Sequence, residues 1–326
     1  MAAQYNPLAT GSELVKNLAE KIKGKVILTT GVSPGGLGAH FVNTVASAQP
    51  GLLILAGRNV VKVQQTADSL AKSHPSIKTR TLRLDLASLA AVREAAAEVN
   101  SWDDVPAIDV LVNNAAIMAV EYSVTPDGFE NQFGTNHLGH FLFTNLIMGK
   151  ILAAPRPRVV SVSSTGHRFG PVRFDDFNFH GGETYNRWRA YGQSKTANML
   201  MALSLAEKLG EKGLRAYSVH PGGIMTNLAV HLDWTTDMET LIALDRELGN
   251  REGWESFKIK TEDQGIATYV FAAFHPSLDD HNGVYLLDAH VADPWVDTLK
   301  PWATSPVEAE RLWKLSERLA GQEFSY

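Results

Sequence analysis

The 326-residue sequence contains no cysteine, which excludes disulfides, thiolate metal sites, cysteine nucleophiles and S-acylation together. It has no N-x-S/T sequon, and its opening stretch MAAQYNPLATGSELVKNLAEKIKGK is too polar for a secretory signal. No apolar run reaches the ~18 residues of a membrane span, so no membrane anchor is expected and the default location is cytoplasmic. Basic runs are missing too. The net charge is −5, without the electrostatic footprint of a protein that grips polyanions, so nucleic acid is not an expected partner.

What remains is a chain that is 44% hydrophobic and 20% charged, able to bury a large core. From Lys25 onward seven short β-branched runs, KVILTT, LLILAG, TRTLRLD, IDVLVNN, RVVSVSS, LRAYSVH and GVYLLD, alternate with amphipathic stretches such as NVVKVQQTADSLAKSH and SLAAVREAAAEVN. Several runs are apolar on both faces. This pattern predicts an α/β fold, a doubly wound (Rossmann) seven-stranded parallel sheet with helices on both sides. The expected organisation is an N-terminal extension over 1–23, a catalytic domain over 24–302 and a C-terminal helix over 303–326 packed on it. In the extension, Ser12 is the expected cap of a short helix that places Val15, Leu18 and Ile22 on one face. The loop 166–190 and a substrate lid over 228–261 interrupt the alternation, as binding loops do.

Directly after the first strand comes TTGVSPGGLGAH, with Gly31, Gly35, Gly36 and Gly38 ahead of a helix. Glycines at a strand-to-helix turn let backbone N–H groups approach a pyrophosphate. The end of the second strand, where an acid would hold a ribose 2′-hydroxyl, reads LLILAGRN. Arg58 stands there instead, a guanidinium suited to a 2′-phosphate, so NADP(H) is expected over NAD(H). YGQSK, Tyr191 to Lys195, places a phenol and an ammonium four residues apart on one helix face.

With the glycine turn, NNAA at Asn113 to Ala116 and YGQSK in this order, the chain resembles the short-chain dehydrogenase/reductase family over Lys25 to Ala292. SVSSTGH, HPGGIMT, GVYLLDAHVA and AERLWKLSERLAG make it look most like the retinol dehydrogenase and WW-domain oxidoreductase branch and its soluble fungal relatives, a likeness associated with secondary metabolism. The resemblance implies that Ser164 hydrogen-bonds a substrate carbonyl, that Tyr191 is the general acid/base with Lys195 as its partner, and that Asn136 holds a water of the proton relay. It also implies that Asp85 and Leu86 lie beside the adenine, Asn114 and Ala115 line the cofactor, and Pro221, Gly222, Ile224 and Thr226 meet the nicotinamide side. An unperturbed tyrosine titrates near ~10, and a neighbouring ammonium is expected to lower that value.

Two features depart from the family pattern. TGVSPGGLG carries one residue more than TGxxxGxG, so within the cofactor-binding turn of Gly31, Ser33, Gly36, Leu37 and Gly38 the phosphate contact falls to Ser33, Gly35 or Gly36. The stretch between Ser164 and Tyr191 is long and resembles the insertion of the retinol dehydrogenase branch. His137 and His140, three apart on one helix, lack a third ligand and are expected in the core, with no metal. His167 and His220 flank catalytic motifs and are expected in or behind the pocket. Met118, His167, Phe169, Met225 and Trp234 are the candidates for contact with an apolar substrate.

The expectation is an NADP(H)-dependent oxidoreductase, monomer or homodimer, that interconverts a ketone or aldehyde and an alcohol on a hydrophobic small molecule. Two other classes stay open: an NADP(H)-binding sensor without turnover, and a family member catalysing dehydration or isomerisation.

Overall fold

In the computed structural model the seven β-branched runs are the strands of one sheet. Residues 5–256 and 258–326 are described; Met1–Gln4 of the extension and Phe257 of the lid stretch lie outside the described residues. The strands are β1 (Val26–Thr30), β2 (Leu52–Gly57), β3 (Thr79–Arg83), β4 (Val110–Asn113), β5 (Arg158–Val162), β6 (Arg215–His220) and β7 (Tyr285–Leu287). They pair in the order β3-β2-β1-β4-β5-β6-β7, all parallel. The direction of winding reverses between β1 and β4, the place where doubly wound sheets open a crevice at the carboxyl ends of their strands.

The expected count of seven is corrected to eight. β8 (His290–Val291) returns antiparallel to β7, with Leu287 opposite His290. The connection is only Asp288 and Ala289, both at positive φ (49° and 53°), as in tight hairpin turns whose twist matches the strands. A two-residue strand behind Asp-Ala, where Asn-Gly or Asp-Gly would announce such a turn, leaves no pattern to read.

Among the described residues twelve helices cover the faces: α1 (Gly11–Asn17), α2 (Ala19–Ile22), α3 (Leu37–Ala46), α4 (Val60–Ser73), α5 (Leu89–Ser101), α6 (Asn131–Phe133), α7 (Gly139–Leu146), α8 (Met148–Leu152), α9 (Arg187–Leu209), α10 (Trp234–Glu247), α11 (Glu262–Phe274) and α12 (Pro306–Ala320). Phe41, Val42 and Ile266 of α3 and α11 form one core with Ile27 and Leu53, while Val92, Phe141, Met201 and Trp313 form a second with Leu28 and Leu111. Alternate residues of β1 therefore face opposite cores, which is why its sequence shows no polar face.

The extension is capped two residues earlier than expected. Thr10, not Ser12, accepts from the Glu13 N–H, and the Ser12 hydroxyl instead donates to Asp263 of α11. Val15, Leu18 and Ile22 are buried on the face expected of them. The lid stretch, read as irregular, contains the 14-residue helix α10, capped by Asp233.

Candidate active site

A cavity of about 960 Å³ runs along the carboxyl ends of the strands. At its centre the turn after β1 comes very close to the NNAA loop. Gly31 has φ 73°, and a Cβ there would lie 2.7 Å from the Ala115 Cα. Gly38 sits against the Gly31 carbonyl, where a Cβ would meet the oxygen at 2.6 Å. Asn114 Nδ2 locks the crossing by donating to the carbonyls of Thr30 (2.8 Å) and Gly31 (3.2 Å), and the Tyr269 hydroxyl of α11 orients that amide by donating to Asn114 Oδ1 (3.1 Å).

The extra residue of the glycine turn is taken up by a contact across the cavity mouth. Asn227, just after HPGGIMT, donates its side-chain N–H to the Pro34 carbonyl (2.7 Å), and a Cβ on Gly35 would collide with that amide. Of the three candidate phosphate contacts, Ser33 and Gly36 line the cavity. Gly36 is the N-cap of α3 and supplies no side chain, so the first N–H groups of that helix have no side-chain acceptor. Such an end suits an anion.

Gly31, Ser33, Gly36, Leu37, Arg58, Asp85, Leu86, Asn114, Ala115, Pro221, Gly222, Ile224 and Thr226 all border the cavity. Gly38 does not and serves the crossing instead. Lys62, one turn into α4, joins Arg58 at the same end, a second cation that the sequence reading missed. It was legible, since Lys62 follows Arg58 by four residues on a helix opened by Asn59. The glycine crossing, the uncapped helix end and these two cations together fit a nicotinamide dinucleotide. The cofactor would be held along this wall.

Beyond it stand the polar residues of the motifs. Asn186 caps α9, accepting from the Trp188 and Arg189 N–H groups at 3.0 Å, and so fixes where YGQSK begins. Ser164, two residues past β5, caps the 3-10 turn Thr165–Phe169, and a Cβ on Gly166 would strike the Tyr191 ring at 2.9 Å, so glycine permits this approach. Lys195 Nζ lies 5.4 Å from the ring centroid of Tyr191 and donates to the Val162 carbonyl (3.1 Å). Ser164, Tyr191 and Lys195 share the cavity wall.

The expected lowering of the Tyr191 pKa by Lys195 is overturned. Burial pushes the phenol up to about 12, against an opposing contribution from the Ser164 hydroxyl, and burial also pushes Lys195 down to about 7. The ammonium has itself been removed from water, and it donates to a neutral carbonyl, that of Val162, so its charged form is weakened. A stability prediction follows. Between about pH 7 and 10.5 the unfolded chain holds a proton at Lys195 that the folded chain lacks, so stability rises with pH across that window. Lys195→Met is expected to raise the melting temperature most at slightly acid pH, with the gain shrinking towards pH 10.5. A pH series of thermal scans showing a gain that grows with pH would contradict this.

Asn136 does not touch the cavity. It is fully buried in a π-helical turn (Gly134–Leu138), with Oδ1 accepting from Ile117 N and Nδ2 donating to Ile117 O and Ser194 Oγ, each at 2.9 Å. Both amide protons are therefore committed, and the side chain has no donor left to offer a water.

Met118, Phe169 and Trp234 line the cavity with Trp188, Met238, Leu241 and Ile242, and the charged Arg168, Glu252, Glu255 and Lys258 line it too. Two substrate candidates are corrected. His167 is buried behind the wall, bonded through Nδ1 to the Ser164 carbonyl and through Nε2 to Lys300 N, and burial holds its pKa down at about 4. Met225 is half-exposed and is not among the residues that line the cavity. His220 does line the wall, with Nδ1 accepting from Thr165 N. His137 is in the core against Ser316 of α12, as expected.

The lid helix is anchored by buried charge. Arg168 donates from Nε and Nη2 to the two oxygens of Asp245, both at 2.7 Å, and Asp245 is fully buried. Arg187 pairs with Asp237, eight residues earlier and so on the same face of α10. These contacts hold Trp234, Met238 and Leu241 over the cavity as a wall. Neither acid belonged to any motif.

The family model for short chain dehydrogenase matches residues 25–236. The chain is 36% identical to the short-chain dehydrogenase/reductase prx1 of Penicillium rubens over 92% of this chain and 86% of that protein. It is 37% identical to human retinol dehydrogenase 14 over 73% of this chain and 66% of that one. Among solved structures, an uncharacterized protein from Mycobacterium paratuberculosis superposes with a TM-score of 0.67 at 30% identity, covering 94% of this chain and 98% of the other. Among the described residues, no helix is long and apolar enough to cross a membrane.

Proposed function

This chain belongs to the short-chain dehydrogenase family, and we propose that it is a cytoplasmic NADP(H)-dependent reductase of hydrophobic ketones or aldehydes, with Tyr191 as the general acid/base. The observation that carries the reading is that the buried Tyr191 lines one cavity together with two cations, Arg58 and Lys62, and the apolar Trp234, Met238 and Leu241 of α10.

NADPH, when bound, supplies the hydride that attacks the carbonyl carbon. Charge then develops on the carbonyl oxygen, where the Tyr191 hydroxyl donates its proton and the Ser164 hydroxyl offers a second hydrogen bond. A phenol held at about 12 remains protonated at neutral pH, the form that reduction requires. Lys195, one turn along α9, is placed to bind the cofactor's ribose and to return a proton to Tyr191. Asn114 and the glycine crossing keep the cofactor wall rigid. The apolar residues under α10 exclude water and favour an apolar substrate over a sugar or an acid.

The test is NADPH consumption with a panel of apolar ketones and aldehydes, run in parallel with NADH. Oxidation of NADPH coupled to alcohol formation supports the reading; tenfold preference for NADH sinks the assignment of Arg58. Replacing Arg58 by alanine removes a charge-assisted bond, so the KM for NADPH is expected to rise by about tenfold or more while that for NADH changes little. Steady-state kinetics with both cofactors measures this.

A further inference from the structure

His140 lies outside the cavity, on the first turn of α7, four residues after Asn136 in the stretch GTNHLGHF. Its buried ring bridges the carboxyl end of β1 and the π-turn that carries Asn136. Nε2 is 2.9 Å from the Thr30 hydroxyl, and Nδ1 is 3.0 Å from the Asn136 carbonyl oxygen.

The direction of these bonds follows from counting protons. Thr30 Oγ1 already accepts from two backbone N–H groups, Asn114 (3.0 Å) and Ala115 (2.9 Å). A hydroxyl has two lone pairs and one proton, so with both pairs taken the proton goes to His140 Nε2. Nε2 is therefore bare, and the ring proton sits on Nδ1 and is donated to the Asn136 carbonyl. Burial and the nearby Lys195 hold the ring neutral, against the opposing pull of the Asn136 carbonyl, with a pKa of about 4; His137 is the other titratable neighbour.

We propose that His140, locked as the Nδ1–H tautomer by Thr30, is a positioning residue that pins the Asn136 carbonyl and ties the cofactor-side loop Asn114–Ala115 to the helix behind Tyr191. The chain of bonds is continuous. Ala115 N donates to Thr30 Oγ1, Thr30 to His140, and His140 to Asn136; Asn136 Nδ2 donates to Ser194 Oγ, and Ser194 Oγ to the Tyr191 carbonyl (2.8 Å). The carbonyl that the proton relay would use thereby keeps one orientation. The proposal rests on the reductase reading.

Two substitutions divide the ring's two bonds. Asn43 and Asn145 each donate Nδ2 to the carbonyl four residues earlier at 2.8 Å, so His140→Asn can keep the bond to the Asn136 carbonyl while losing Thr30. His140→Gln places its amide oxygen near the position of Nε2 and keeps Thr30 while losing that carbonyl. With NADPH and an apolar ketone, the Gln variant is expected to lose about ten- to a hundredfold in kcat with little change in the KM for NADPH, and the Asn variant no more than about threefold. A packing role would lower both alike, in step with melting temperature; equal kcat in the two variants overturns the proposal. The imidazole ¹⁵N spectrum of the unmodified protein gives an arm independent of turnover and of any variant. A bare Nε2 with a protonated Nδ1 at neutral pH is expected, and a protonated Nε2 overturns it. If no carbonyl is reduced at all, the reductase reading falls while the spectrum still decides the tautomer.

Discussion

Tyr191→Phe is expected to lower kcat by about 10²–10⁴-fold or more while the protein still folds and binds NADPH. The substitution removes one oxygen and keeps the ring that Gly166 accommodates, so packing is preserved. What is lost is the proton donor. Charge developing on the substrate oxygen would be met by Ser164 alone, whose hydroxyl can offer a hydrogen bond but is far less acidic than a phenol and cannot replace it as proton donor. Fluorescence titration with NADPH, beside stopped-time assays of alcohol formation, separates binding from chemistry. A variant that binds NADPH and still turns over at the unmodified rate removes Tyr191 from the mechanism. The same variant tests the sensor class, because a protein that only reports NADP(H) would lose nothing.

Arg168→Met carries the largest expected effect on stability. Asp245 is fully buried, and its two oxygens are held by Arg168 with a further bond to one of them from Asn250 Nδ2 (3.0 Å). Removing the guanidinium leaves a carboxylate without its countercharge in a dry site, a loss of about 3–5 kcal/mol. Since that pair anchors α10, the loss should appear first as local opening of the lid, with faster proteolysis within 228–261 and a raised KM for the carbonyl substrate. Replacing Asp245 by leucine as well should restore much of the stability, because two apolar side chains need no partner. A single variant as stable as the unmodified protein would show that the pair contributes little.

The fold was legible because its strands announce themselves locally. KVILTT and LLILAG are apolar on both faces, a pattern a central parallel strand imposes, whereas His290–Val291 is too short and its turn too unlike Asn-Gly to be seen. The site was legible for a related reason. YGQSK places its phenol and ammonium on one face through helix geometry alone, and the glycines of TTGVSPGGLG mark a backbone crossing that side chains would forbid. The misplaced residues, His167 and Met225, sit beside the right motifs, but neighbourhood in sequence does not settle which way a side chain points. His167 bonds the Ser164 carbonyl, and Met225 is half-exposed while its neighbours Ile224 and Thr226 line the cavity.

The sequence by itself determined the sheet, the family likeness and the identities of Ser164, Tyr191 and Lys195, since each depends on spacing within one element or one turn. Tertiary structure alone decided the rest. Burial, not the neighbouring ammonium, governs Tyr191; Asp245 reaches Arg168 across 77 residues of chain; Asn227 absorbs the extra residue of the glycine turn; and Thr30 selects the proton position on His140 from 110 residues away. Desolvation and the pairing of distant polar groups depend on what the folded chain brings together, and no local pattern records them.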